Sequence, residues 1–89
     1  MKERETPIAW SVLPKGTPVY ASDGTELGKV AEVIADEQKD IFSGISLNPG
    51  LFKDERFVPA DLIEEMTHEG VRLSISAEQA DRQLEPNER

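Results

Sequence analysis

The sequence has no cysteine, one histidine, one tryptophan and one tyrosine among 89 residues. Without cysteine there is no disulfide staple, no thiolate metal site and no thiol nucleophile. The single histidine, His68, has no second His or Cys with which to share a transition metal, and a general base needs a partner and a pocket. It stands between Thr67 and Glu69 and reads as a solvated turn residue. Basic residues are also scarce: 10 Lys and Arg against 18 Asp and Glu give a net charge of −8 and a pI near 4.5. Nucleic acids and anionic membranes are held through clustered Lys and Arg, so direct contact with either is not expected. No apolar run approaches the roughly 18 residues of a spanning helix. The start shows neither an apolar h-region nor a small-residue cleavage pattern, and the expectation is a soluble cytoplasmic protein.

What is present is the composition of one small globular domain, 37% hydrophobic and 31% charged. At 9.9 kDa the chain buries about 64% of its surface on folding, enough for one modest core. Residues 1–14 read as an N-terminal tail, with Pro7, Pro14 and a short apolar patch around Trp10. The domain is expected over 15–85, and 86–89 as a frayed end after the helix-stopping Pro86.

Within the domain, Thr17–Ala21 is a short β-rich run, and Asp23-Gly24 supplies the positive-φ positions of a tight hairpin. Glu26–Ala35 follows as a strand. Its Leu27 and Val30 break alternation, and Gly28 between them marks a bulge or a close approach. A helix over 29–37 is the competing reading, from Val30, Val33 and Ile34; the hairpin signal and the β-branched residues decide for the strand. Residues 41–47 form the next strand, with Ile41, Ser43, Ile45 and Leu47 on one face and Phe42, Gly44 and Ser46 on the other. Arg56–Pro59 and 61–66 are two more, and Val71, Leu73 and Ile75 alternate cleanly after a turn at 68–70. Ser76 and Gln79 form a capping-box signature that opens two helical turns over 77–84. The fold class expected is all-β: a small closed or partly open antiparallel β-barrel with a short C-terminal helix.

Chemistry is thin. Asp36, Glu37 and Asp40 lack the glycine and terminal glutamate of a calcium loop. Asp61, Glu64, Glu65 and Glu69 raise the question of paired acids, but neighbours in a strand point to opposite faces, so Glu64 and Glu65 read as surface charge. No serine lies in a Gly-x-Ser-x-Gly elbow, and no glycine-rich phosphate loop is present. No catalytic residue, cofactor or metal is therefore expected. The residues that stand out are apolar ones in unlikely places: Trp10 in the tail, and Leu51 and Phe52 in a Pro-Gly loop. They either cover the barrel or anchor a partner.

Gly16–Val30, with its Asp23-Gly24 and Leu27-Gly28-Lys29-Val30, resembles the opening hairpin of the PRC-barrel domain. Val33–Asp36, Pro49–Phe52 and Arg56–Leu62 resemble its later strand ends and loop, so the likeness covers roughly 15–76. Ala60 stands where an aromatic often follows Val-Pro, and the glycine-rich loop is shortened. The end, 70–79, resembles small stand-alone bacterial relatives. The resemblance implies a non-enzymatic protein–protein interaction module that docks another protein or itself as a homodimer, with Trp10, Leu51 and Phe52 as contact candidates. It also implies a lesser alternative, a ribosome-assembly or RNA-processing factor; a small-molecule binder ranks last, because the residues show no convergent polar set.

Overall fold

A computed structural model describes residues 8–36, 38–49 and 55–86. Seven strands form one sheet: β1 (Pro18–Tyr20), β2 (Glu26–Asp36), β3 (Ile41–Pro49), β4 (Arg56–Pro59), β5 (Ile63–Thr67), β6 (Gly70–Leu73) and β7 (Glu85–Pro86). Their spatial order is β5-β6-β1-β2-β3-β4-β7. The pairings are antiparallel except that of β1 with β6, which is parallel and sets Val19 beside Val71. Among the described residues no ladder joins β5 to β4 or β7, so the barrel is partly open. One 3₁₀ turn, Ala60–Leu62, links β4 to β5 across that gap. A second 3₁₀ turn spans Trp10–Val12, and the helix α1 spans Ala77–Gln83.

The core is aliphatic. Val19, Leu27, Ile45, Leu47, Val58, Val71 and Leu73 are fully buried. Val71, Leu73 and Ile75 all face inward, as their alternation requires. The helix stands where the sequence places it. Ser76 accepts the Gln79 amide at 3.2 Å and the Gln79 side chain accepts the Ser76 amide at 2.9 Å, so both halves of the capping box form. Ala80 and Leu84 turn into the core. At the other end of α1, Arg56 donates to the carbonyls of Leu84 and Asp81 at 2.9 and 3.2 Å, which satisfies acceptors that a helix terminus leaves open.

Several local details depart from the sequence reading. In the first hairpin only Gly24 has positive φ, at 90°; Asp23 does not. The Gly24 amide donates to Ala21 and the Ala21 amide to Thr25, a three-residue loop closed by a glycine in the left-handed region rather than a two-residue turn. Glu64 and Glu65 do not diverge as strand neighbours should. An irregularity in the β5–β6 register at Glu64 lets both reach Arg72, at 3.7 and 2.7 Å. The stretch set apart as a tail is docked from Ile8 onward. The Ile8 amide donates to Met66 on β5, and Leu13 is 7% exposed within the core. At the far end Pro86 is paired with Arg56 in the β4–β7 ladder.

Candidate interaction surface

The two longest strands, β2 and β3, run past their neighbours. β1 pairs with β2 only over Glu26–Lys29, and β4 pairs with β3 only over Gly44–Leu47. Beyond these limits, residues 31–36 and 41–43 have no strand neighbour but each other among the described residues. An isolated two-stranded ribbon is marginal in water, so such an arm needs cover.

Three bulges decide which side chains the ribbon shows on each face. Leu27 is the extra residue against β1, Ala31 the extra residue of β2 against β3, and Ser43 the extra residue of β3 against β2. Each bulge reverses the alternation that follows it. Val30, Val33 and Ala35 therefore share the inner face with Leu47, Ile45 and Phe42, their ladder partners. Ile34 and Asp36 share the outer face with Ser46, Gly44 and Ile41. This overturns the face assignment read from 41–47. Ile41 does not join Ile45 and Leu47 in the core; it is 51% exposed, and Phe42 takes the inner side instead. The three-residue spacing of Leu27, Val30 and Val33, which imitates a helix, is the trace of two of these bulges.

The inner face has its cover. Trp10 stacks on Phe42 with ring centroids 5.8 Å apart and planes 5° from parallel. A groove of about 340 Å³ runs beside it, lined by Ser11, Leu13, Lys15, Val33 and Ala35 among others. Trp10, singled out in the sequence, is thus half-buried and engaged by the ribbon's own aromatic. Val12, in the same 3₁₀ turn, is 57% exposed. Leu51 and Phe52, the other two candidates, lie outside the described residues.

The outer face is closed at Ser46, which is fully buried and donates to Glu55 at 3.2 Å, and opens toward Ile41. Ile34 lies diagonal to Ile41 across the ribbon, within side-chain reach, and opposite Gly44. Gly44 is bare because Phe57 occupies the space: a β-carbon there would stand 3.0 Å from the tip of the Phe57 ring and would strike the Val58 carbonyl. Pro59 pairs with Gly44 on the other side, and a cleft of about 330 Å³ opens between Phe57, Pro59, Leu62 and Gln83. Ile41, Ile34, Phe57 and Pro59 therefore form one continuous apolar strip across β2, β3 and β4. Asp36 stands on the same face by register, while Glu32 lines the groove beside Trp10. Lys39 and Asp40 are exposed in the turn, whose backbone is pinned by Asp36 accepting from the Gln38 and Lys39 amides.

This strip was not read from the sequence. Its signal is there only once the bulges are known, because Ile34 and Ile41 look like core residues under strict alternation. Elsewhere the polar groups are engaged with one another. The cleft beside Tyr20, about 260 Å³, carries Glu65, Glu69 and Arg72, and Arg72 is held by Glu64 and Glu65. His68 is exposed in its turn. Among the described residues no group of three or more His, Asp or Glu side chains is placed to hold a metal ion, and no helix is long and apolar enough to cross a membrane.

Asp23 is the one described residue whose acidity clearly moves. The Thr25 amide, which donates to its carboxylate at 3.0 Å, holds its pKa below the ordinary 3.8, with the Thr25 side chain and the Ala77 amide adding to the effect. It ties the first hairpin to the start of α1, a structural task.

No match was found among curated proteins. The PRC-barrel domain family matches residues 13–78, a span that runs from the buried Leu13 through β6 to the first turn of α1. With that match over most of its length, and with the partly open small barrel described above, the chain belongs to the PRC-barrel domain family.

Proposed function

We propose that this protein is a non-enzymatic interaction module that docks another protein through the outer face of its β2–β3–β4 sheet. The observation that carries the reading is the apolar strip Ile41–Ile34–Phe57–Pro59, in which Ile41 is 51% exposed and the other three are half-buried. Small domains need every apolar group for the core, so a strip turned outward by two bulges is kept for contact. Membership of a family of small β-barrel interaction modules agrees with this. Trp10 takes part from behind: stacked on Phe42, it stiffens the ribbon that displays Ile34 and Ile41.

The test is a photo-activatable cross-linking residue placed at position 41 in cells, with the same residue at exposed position 82 on α1 as the control. A discrete adduct from position 41 and none from position 82 is the expected result. Equal smears from both, or no adduct from either, would remove the proposal.

A further inference from the structure

We infer that residues 8–12 are a displaceable strap, and that the seat it vacates takes a protein segment carrying an aromatic residue followed directly by a large aliphatic one. The inference concerns the inner face of the β2–β3 ribbon and does not rest on the outer-face reading above.

The strap is firm at one end and lightly held along the rest. Leu13 is 7% exposed in the core, and the Thr17 hydroxyl donates to the Pro14 carbonyl at 2.7 Å, which fixes the C-terminal end. Further back, Ile8 donates its amide to Met66 at 2.9 Å from a partly buried position, and Trp10 lies on Phe42. None of the three residues in the 3₁₀ turn between them and Leu13 is buried. A segment with so little buried surface opens at a lower free energy than the sheet it lies on.

The strap also underfills its seat. Among the described residues, the groove of about 340 Å³ has Ser11 and Lys15 along the strap and Val33 and Ala35 along the ribbon. Next to Trp10, therefore, a short hydroxyl side chain meets two apolar ones. A leucine or isoleucine in the place of Ser11, with an aromatic kept on Phe42, would bury more apolar surface than the strap does. Such a segment needs the same space, so the strap has to lift before it binds. The strap is at once the template of the partner and its competitor, an autoinhibitory contact.

The experiment uses the full chain, parent and Trp10→Ala, and two dye-labelled peptides: a copy of residues 8–13 and the same copy with Ser11→Leu. Trp10→Ala leaves the chain without tryptophan, so the emission belongs to the peptide. The copy is expected to bind Trp10→Ala with a blue shift. By anisotropy it should bind the parent about tenfold more weakly, because the tethered strap competes at an effective concentration on the order of millimolar. The Ser11→Leu peptide should bind about tenfold more tightly than the copy. Adding Phe42→Ala to the Trp10→Ala chain should remove binding of both. In the parent alone, which tests the strap without any variant, the Ile8 amide should exchange at least about tenfold faster than that of Val30, whose N–H bonds Thr17. Exchange of Ile8 and Val30 at one rate would overturn the inference. So would failure of both peptides to bind Trp10→Ala, equal binding to parent and variant, no gain from the leucine, or binding that survives Phe42→Ala.

Discussion

Replacing Arg56 by Met should be the most informative single change to stability. The side chain is 16% exposed and its guanidinium donates to two carbonyls at the end of α1, Leu84 at 2.9 Å and Asp81 at 3.2 Å. Its contact with the Asp81 carboxylate is long, at 3.8 Å, and that partner is 67% exposed, so the ion pair itself contributes little. Met retains most of the apolar stem and removes the hydrogen bonds and the cation at a helix C-terminus. A hydrogen bond to a charged donor is worth about 1.5–3 kcal/mol; counting the shorter one fully and the longer one in part gives about 2–3 kcal/mol. For a domain of this size that lowers Tm by about 10–20 °C, at about 4–8 °C per kcal/mol. Both bonds come from one guanidinium nitrogen, Nη1, so a lysine ammonium can make them in kind and Arg56→Lys should recover much of the loss. Thermal unfolding gives the total, and amide exchange at Leu84, whose N–H bonds Ala80, locates it. A Tm within about 3 °C of the parent, or protection at Leu84 unchanged, would refute the view that Arg56 fastens α1 to the barrel.

Gly28→Ala should cost about 3 kcal/mol by urea unfolding, because a β-carbon there would strike the Asn48 backbone carbonyl. Ser76→Ala removes the cap that accepts the Gln79 amide and should cost about 1 kcal/mol, seen as a Tm lower by about 4–8 °C. Asp23 has a folded pKa below its ordinary value, so the unfolded chain binds its proton first as the pH falls. Its contribution is complete above 3.8 and is lost as the pH drops through the folded value. Asp23→Asn should therefore be less stable than the parent at neutral pH, and the two urea midpoints should converge in acid; a constant gap would refute it. Phe42→Ala should shift the emission of Trp10, the chain's one tryptophan, to the red, since the stacked ring that shields it is gone.

Much of the barrel was legible because its signals are local. Val71, Leu73 and Ile75 alternate without interruption, Ser76 and Gln79 announce the helix three residues apart, and Pro59 ends β4 where a proline ends a strand. The surface was not legible, for a physical reason. A bulge adds one residue and inverts every side chain after it, and at Ala31 and Ser43 nothing in residue type marks the place. Gly28 could be read, because glycine is the residue a close approach demands; its bulge partner Leu27 could not. The docking of Ile8 was also hidden, since it depends on β5, which lies far along the chain. Pro86 pairs with Arg56 for a similar reason: the rest of the domain puts a strand beside it.

The parallel pairing of β1 with β6 has a consequence for how the chain is made. Val19 leaves the ribosome about 50 residues before Val71, its ladder neighbour, which at about 5–20 residues per second is a delay of several seconds. During that interval the β1–β2 and β2–β3 hairpins can form, because their partners are close in sequence, but one edge of β1 stays open to whatever else is nearby. The strand is only three residues long and starts with a proline, which offers little to a foreign edge. Brevity at β1 thus guards the nascent chain while its permanent neighbour is still being synthesised.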